Sequence, residues 1–457
     1  MNAVIDSKLT LYNLPSDVKY KVIADLTLKN PLYHRLKAMG ISTYGTPDQI
    51  KLFKREGSQL TVPRGYASKL NLDDFVVEDN TVMNLRQNFC SIIKLRDYQE
   101  KAVLEIIKHK CGVVVLPCGS GKTIIGLEAA VRISQPTLWL THTSDLLNQS
   151  LNAAKNLLGL KKGEFGVIGG GKFSIGTKIT FATVQTLSKR DLSEIKDFFG
   201  CVIIDECHHT VSDEKHIRQF ESVISELPAK YRIGLTASEH RSDGLIETMY
   251  YIIGSKLYEI SQDDLIEQGY CIVPDVFLIP TRFNYISDTE QFNFSGMLKE
   301  IAEDYHRNEI ILKWLKILKE TDSTLVLADN LSHLRYLKDK LNTEKTVFIC
   351  GSTSSKERAS ALADMQNGTK NILFATYALA KEGLDIPRLN KLFLLTPKKD
   401  RTVIQQSVGR IMRLYEDEKT AAVYDFYDPL LPVSTRQLNQ RIREVYKNLK
   451  CKIERIN

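Results

Sequence analysis

Gly112-Val113-Val114-Val115-Leu116-Pro117-Cys118-Gly119-Ser120-Gly121-Lys122-Thr123 is the stretch on which the reading of this chain turns. The apolar run from Gly112 to Leu116 reads as a buried strand, and the amphipathic stretch from Thr123 to Ile133 reads as a helix. A glycine-rich turn between the two can direct several backbone N–H groups at a polyphosphate. Gly119, Ser120 and Gly121 leave room for close approach, Lys122 supplies charge to the β and γ oxygens, and Thr123 supplies a hydroxyl for Mg2+. The full pattern G-x-x-x-x-G-K-[ST] is not met, because Leu116 stands at its first glycine. A plain strand-to-helix turn explains the two glycines but not Lys-Thr at the helix start. The stretch therefore predicts binding of ATP with Mg2+.

Working outward, the same alternation of apolar runs and amphipathic stretches continues. Further runs occur at Thr137–Leu140, Lys178–Ala182, Cys201–Ile204 and Arg232–Leu235, then again at Thr324–Ala328, Thr346–Cys350, Asn371–Ala375 and Lys391–Leu395. Buried strands alternating with helices imply parallel sheets, so the expected fold class is α/β with two tandem parallel-sheet domains. The first is expected over residues 91–255 and the second over 281–430, with a connector at 256–280. Residues 1–90 read as a small α+β module, with strands at Lys8–Tyr12, Val22–Leu28 and Gln59–Val62 and a short helix at Pro47–Arg55. Residues 431–457 read as a basic C-terminal helix.

Two more motifs carry chemistry. Asp205-Glu206 closes the apolar run Cys201–Ile204, and a carboxylate at the end of a buried strand is costly unless a cation or donors meet it. Beside a phosphate loop, Asp205 would hold Mg2+ and Glu206 would polarise the water that attacks the γ-phosphate. In the second α/β unit, Gln406-Ser407-Val408-Gly409-Arg410-Ile411-Met412-Arg413 places two arginines three residues apart, expected on one helix face. Guanidinium forks suit the spread charge of a phosphoryl-transfer transition state. With the phosphate loop on one unit and the arginines on the other, an ATP site shared by both is expected.

Composition excludes other classes. The chain has 457 residues, of which 43% are hydrophobic and 26% charged, with 13 prolines, and this fits neither a disordered nor a fibrous protein. Its length suggests about three domains. No apolar stretch approaches the roughly 20 residues that span a bilayer, and Met1–Ser7 lacks the layout of a signal peptide, so an intracellular, cytoplasmic protein without membrane contact is expected. The eight cysteines include no C-x-x-C pair, which argues against a disulfide framework. Cys201, Cys207, His208 and His209 lie close together, but without a second ligand pair they do not read as a zinc site. The net charge of +7 lies at the ends: residues 1–94 and 428–457 carry +4 each, and the middle −1. Basic ends hint at a polyanion partner.

These motifs, in this order, resemble those of superfamily 2 helicases and translocases, from about Leu95 to Leu430. Their RecA-like domains are the fold the resemblance implies. By it, Arg96-Asp97-Tyr98-Gln99 resembles the adenine-reading segment, implicating Arg96 and Gln99. The family tolerates a non-glycine first position in the phosphate loop. Thr141-His142-Thr143 and Thr183-Val184-Gln185-Thr186 are similar to nucleic-acid-contacting motifs, implicating Thr143, Thr183 and Gln185, although the family more often has proline where His142 stands. Asp205-Glu206-Cys207-His208 is similar to a DExH box, in which His208 would link the nucleotide to Gln406. Thr236-Ala237-Ser238 with Arg241-Ser242-Asp243-Gly244 resembles the coupling motif, implicating Thr236, Ser238 and Arg241. Thr376 would touch nucleic acid, Gly383 and Asp385 the nucleotide's ribose, and Arg410 and Arg413 the γ-phosphate. Leu95-Arg96-Asp97-Tyr98-Gln99 and Gly234–Ser238 resemble the XPB-like branch, which includes phage UvsW-type branch-migration enzymes.

The resemblance implies a monomeric, ATP-dependent DNA helicase or translocase acting on single-stranded, forked or branched DNA. A double-strand DNA translocase or an RNA helicase on the same core is the nearer alternative. A nucleotide-gated binding module without turnover is the distant one, and intact Lys122, Asp205, Glu206 and Arg410 count against it.

Overall fold

The computed structural model describes residues 1–117, 119–211, 213–237, 245–286, 293–381, 384, 386–415 and 420–456. Two compact units result, the first built from Met1–Pro117 with Gly121–Ile260 and the second chiefly from Ser261–Asn457.

The first unit begins with β1 (Asn2–Ile5), β2 (Lys8–Tyr12), β3 (Thr27–Lys29), β4 (Gln49–Lys51), β5 (Lys54–Glu56), β6 (Gln59–Pro63) and β7 (Val76–Asp79). Five of them form a sheet in the order β5-β6-β2-β1-β7, while β3 and β4 form a separate ladder. Two expectations fail here. Val22–Leu28, expected as a strand, lies mostly in the helix Ser16–Asp25: Val18, Val22 and Leu26 recur every four residues and pack inward, and this period outweighs the β-branched pair Val22-Ile23. Pro47–Arg55, expected as a helix, is β4 and the start of β5. There Ile50 and Leu52 are buried while Gln49 and Lys51 are exposed, a period of two that belongs to a strand.

This N-terminal sheet has no core of its own. Leu9, Leu11, Leu60 and Val62 join one buried cluster with Val113, Leu138 and Val202 of the next sheet. At Gly65 the backbones approach so closely that a Cβ would lie 2.5 Å from the Gly254 nitrogen and 2.6 Å from the Tyr250 oxygen. Only glycine allows that approach.

The larger sheet of the first unit contains β8 (Cys111–Val115), β9 (Thr137–Thr141), β10 (Phe165–Gly169), β11 (Lys172–Ser174), β12 (Ile179–Thr183), β13 (Cys201–Ile204), β14 (Tyr231–Thr236) and β15 (Lys256–Glu259), in the order β11-β10-β12-β9-β13-β14-β8-β15. All neighbours are parallel except the hairpin of β10 and β11. Every residue of β9, β12 and β13 is buried, as expected of strands covered on both faces.

The second unit holds β16 (Asp275–Pro280), β17 (Thr324–Ala328), β18 (Thr346–Ile349), β19 (Ile372–Thr376), β20 (Lys391–Leu394), β21 (Ala422–Tyr427) and β22 (Ile453–Arg455) in one parallel sheet, ordered β18-β19-β17-β20-β21-β16-β22. Along β17, Leu325 and Leu327 join the core on one face, and Val326 and Ala328 the core on the other. The expected connector 256–280 is therefore structured at both ends, with β15 closing the first sheet and β16 inside the second. The short helix Gln262–Glu267 lies between them in the chain.

The C-terminal segment also departs from expectation. The helix Pro432–Arg441 continues through a π-helical turn to Tyr446, after which β22 adds a strand to the sheet. Leu438, Val445, Tyr446 and Leu449 enter the core of the second unit, so this segment is part of that domain and not a basic appendage.

Candidate functional site

Among the described residues, the motifs that follow β8, β9, β12, β13 and β14 stand at the carboxyl edge of the large sheet. The parallel register aligns Thr183 with Thr141, Ala182 with Leu140, Leu140 with Ile204, and Thr236 with Val115. Along that edge come the ends of β12, β9, β13, β14 and β8 in turn. Open parallel sheets bind ligands where strands end and chains cross to helices.

The phosphate loop follows β8, tied to β14 by the Leu116 N–H donating to the Thr236 oxygen at 2.9 Å. Gly119 and Gly121 have φ of +86° and +84°, in the left-handed region that a residue with Cβ adopts only at a cost. Gly121 caps the helix Lys122–Ile133. A Cβ there would lie 2.6 Å from Gln99 Nε2, so the loop and Gln99 are in close contact. Gln99 is buried, and its Oε1 accepts from the Arg96 N–H at 2.9 Å in a capping box that opens the helix Asp97–His109. Ser120 is buried, and Thr123 stands in the first turn of the helix.

After β13 the backbone turns sharply, with Glu206 at φ +47°, and this non-glycine residue in the left-handed region marks a constrained turn. The turn presents the Glu206 carboxylate to Lys122, with Nζ to Oε1 3.3 Å. Asp205 is 5% exposed, and its Oδ1 accepts from the Glu206 N–H at 3.0 Å and its Oδ2 from the Ser150 hydroxyl at 3.3 Å. Burial disfavours charge on both carboxyls. At Glu206 the opposing attraction of Lys122 and His208 wins and holds it below the ordinary glutamate range. Asp205, buried and beside that negative charge, is pushed up to about 7. A buried, crowded carboxylate pair next to a lysine and an open helix start is a donor set that fits a divalent cation and a polyphosphate. His208 Nδ1 lies 2.9 Å from Thr236 Oγ1 and 3.4 Å from Glu206 Oε2, which joins the ends of β13 and β14.

The other half of the edge belongs to β9 and β12. Thr143 caps the helix Ser144–Leu158, its hydroxyl accepting from the Leu146 N–H at 3.3 Å. Thr183 Oγ1 lies 2.8 Å from Thr186 Oγ1. Gln185 Nε2 lies 3.2 Å from His142 Nδ1. The His142 ring stacks on that of His209, with centroids 5.0 Å apart and planes at 13°, and His209 in turn lies 4.1 Å from the His208 ring. A continuous set of contacts thus runs from Gln185 through three imidazoles to Thr236.

In the second unit, Thr376 ends β19. Gln406 is buried in the helix Arg401–Ile411, where Arg410 donates from Nη1 to the Leu384 oxygen at 2.6 Å. Arg413 does not share that helix face as expected. The helix ends at Ile411, and Arg413 forms an antiparallel bridge with Cys271 beyond the cap. Ser238, Arg241, Gly383 and Asp385 lie outside the described residues, as do Ser242, Asp243 and Gly244.

Comparison with known proteins agrees with this arrangement. Residues 92–241 match the family model described as "Type III restriction enzyme, res subunit", and residues 307–415 match "Helicase conserved C-terminal domain". The chain belongs to the superfamily 2 helicases. Within them the helicase is similar to XPB proteins: it is 26% identical over 369 residues to the DNA 3'-5' translocase XPB2 of Sulfurisphaera tokodaii, covering 71% of this chain and 80% of that one. It is 29% identical over 435 residues to a protein of Acanthamoeba polyphaga mimivirus provisionally named an ATP-dependent RNA helicase, covering 91% of this chain and 79% of the relative. Among solved structures, the yeast Dbp5 complex with RNA and ADP BeF3 shares its fold at a TM-score of 0.60 and 16% identity, over 80% of this chain and 90% of that one. The helicase is accordingly an enzyme that hydrolyses ATP. Among its described residues no helix is long and apolar enough to cross a membrane.

The helicase brings into the site two residues that sequence reasoning passes over. In the sequence His142 stands out only as a departure from the common proline, and His209 only as a rejected zinc ligand. The signal available is the doubled histidine His208-His209 after the DExH acid pair, together with a ring at position 142.

Proposed function

We propose that this helicase couples ATP hydrolysis to movement along DNA, with forked or branched DNA as its preferred substrate in replication, recombination or repair. The observation that carries the proposal is the shared sheet edge, on which the Lys122, Asp205 and Glu206 set and the Thr143, Thr183 and Gln185 set are joined through His142, His209 and His208. A contiguous chain of side-chain contacts is one way in which a change at one half can be felt at the other. In favour of DNA is the likeness to the XPB2 translocase; in favour of the second reading, an RNA strand, is the name of the mimivirus relative.

In this reading Arg96 and Gln99 meet the adenine. The amides around Gly119, Ser120 and Gly121 hold the phosphates with Lys122, and Gly383 and Asp385 meet the ribose. Thr123 and Asp205 would hold Mg2+, which would screen charge on the phosphate oxygens. Phosphate drawn to Lys122 competes with Glu206 for its ammonium, and this frees Glu206 to orient and deprotonate the attacking water. By the family resemblance, Arg410 and Arg413 are assigned to charge on the transferring phosphoryl group, and Gln406 and His208 to reporting the nucleotide state. Thr236, Ser238 and Arg241 relay that state. Thr143, Thr183, Gln185 and Thr376 grip a strand by its phosphates, so movement is largely independent of sequence.

The test is a panel of ATPase and strand-displacement assays on single strands, forks, four-way junctions, blunt duplex and RNA hybrids. Greatest stimulation by branched DNA supports the proposal, and greatest stimulation by RNA selects the second reading. Lys122→Ala and Glu206→Gln should each lower stimulated turnover by about a hundredfold or more while leaving circular dichroism unchanged. Unchanged turnover in either refutes the assigned chemistry.

A further inference from the structure

Two buried arginines of the first unit have no carboxylate within ion-pair distance among the described residues. Arg64 is 4% exposed and Arg232 1%. Arg64 donates from Nη1 to the Asp6 and Ala229 oxygens at 3.0 and 2.7 Å, and its Nη2 lies 3.3 Å from Cys111 Sγ. Arg232 donates to the backbone oxygens of Ile252, Ser7, Ile224 and Leu227 at 2.9 to 3.2 Å. The Nε of each is buried with no hydrogen-bond partner. The second unit treats the same residue differently, since buried Arg307 pairs with Asp428 at 2.9 Å and buried Arg441 with Asp425 at 2.7 Å. A buried guanidinium is expensive unless an opposite charge meets it, and burial together with the neighbouring Arg64 holds Arg232 well below the usual arginine range, against a smaller pull from Cys111 and Asp6.

Both arginines line a cavity of about 320 Å3 that is also bounded by β2, β6 and the helix Glu214–Ile224. Lys8, Lys51 and Lys54 line it as well, and among the described residues Lys8 and Lys51 form no ion pair. The carboxylate in the lining is Glu221, whose proton affinity burial raises against the pull of Arg218 and Lys8. A cavity with buried guanidinium groups that are not ion-paired, and with lysines beside them, has the chemistry of an anion receptor.

We propose that this cavity binds a phosphate-type oxyanion the size of phosphate or pyrophosphate, either free or at the 5′ end of a nucleic-acid strand. The site is separate from the phosphate loop and lies where the N-terminal sheet is fastened to the nucleotide-bearing sheet. An anion there screens Arg64 from Arg232 and tightens that seam.

The test is calorimetric titration of pyrophosphate into the full chain with its phosphate loop saturated by ADP. The expected result is uptake of one pyrophosphate per chain, weakened at least tenfold in Lys8→Ala/Lys51→Ala with circular dichroism and basal ATP turnover unchanged. Arg232→Lys reports on the buried arginines where it folds, but the lysine pair is the deciding variant. No uptake with the loop saturated, or uptake indifferent to Lys8 and Lys51, overturns the proposal. Competition then identifies the source of the anion. Displacement of pyrophosphate by a 5′-phosphorylated oligonucleotide but not by its 5′-hydroxyl twin supports a strand end, and displacement by neither supports a free anion. Equal displacement by both means general attraction to nucleic acid and overturns the site.

Discussion

Replacing Arg441 with methionine should destabilise the second unit while leaving nucleic-acid contacts untouched. Read from sequence, Arg441 is one of the basic residues of the C-terminal helix. In the structure it is buried, forming a two-pronged pair with Asp425 of β21, with Nε to Oδ2 2.8 Å and Nη2 to Oδ1 2.7 Å, and a further bond from Nη1 to the Lys398 oxygen at 2.9 Å. Asp425 also accepts from the Tyr446 hydroxyl at 2.6 Å. Arg441→Met removes two of these three donors and strands a carboxylate in a dry core. Breaking a buried pair from one side costs about 3–5 kcal/mol. In a domain of this size each kcal/mol moves the melting temperature by about 2–4 °C. The expected fall is therefore on the order of 6–20 °C in the melting of the second unit, followed by hydrogen exchange of the β21 amides. Adding Asp425→Asn removes the stranded charge but keeps an acceptor for Tyr446, so the double variant should recover most of the loss. Arg443→Met, at a side chain 76% exposed, should stay within about 0.5 kcal/mol of wild type. An Arg441→Met shift below about 1 kcal/mol, or one that Asp425→Asn leaves unchanged, would refute the reasoning.

Three other outcomes are expected. With Mg2+ chelated, Asp205 binds its proton more tightly in the native state than in the unfolded chain, so its contribution is full below about pH 4 and is lost as pH rises to about 7; urea titrations across that window should show Asp205→Asn flattening this component, and parallel curves for the two chains would contradict the assignment. His142→Ala and His209→Ala each break the imidazole stack and should lower the stimulation of ATP turnover by nucleic acid several-fold while basal turnover persists, as read from turnover with and without a saturating strand. Neutralising the exposed Arg436, Arg443 and Lys447 together should weaken DNA binding and reduce the slope of log affinity against log salt by up to about 2–3, and an unchanged slope would mark these charges as solvated surface.

The parts of the fold that are legible in the sequence share one physical cause. Strands such as β9, β12 and β13 are covered on both faces, so they appear as unbroken apolar runs that need no partner to be recognised. Residues 165–169, Phe-Gly-Val-Ile-Gly, are diluted by glycine, and β21 carries Asp425 in its middle, which argues against a buried strand until Arg441 and Tyr446 are seen to meet it. The N-terminal segment misleads because its local pattern is short: Val22-Ile23 looks extended, and only the wider spacing of Val18, Val22 and Leu26 reveals a helix. The nucleotide-binding half of the site is legible because phosphate chemistry demands fixed residue types at fixed spacing. The histidine stack is not, since ring contacts between β9 and the turn after β13 depend on a strand order that no local spacing encodes. Arg441 and Arg443 illustrate the same limit, because two residues apart in one helical segment they differ in burial and hence in role.

The two units treat buried carboxylates in contrasting ways, and the contrast separates architecture from chemistry. Asp425 and Asp428 are each met by a buried arginine, and further hydroxyls complete their bonding, from Tyr446 for the first and from Thr281 and Ser434 for the second. Such paired networks hold a domain together, although in the second of them Arg307 Nη1 is buried without a hydrogen-bond partner. Asp205 is also buried, yet it has a hydroxyl at 3.3 Å, one backbone N–H and a second carboxylate beside it, and the nearby lysine is paired with that second carboxylate. An evolving core could remove this frustration with a single arginine, as the second sheet does twice. Its retention at the end of β13, next to two left-handed glycines and an open helix start, follows if Asp205 is completed by a cation and Lys122 by phosphate during turnover.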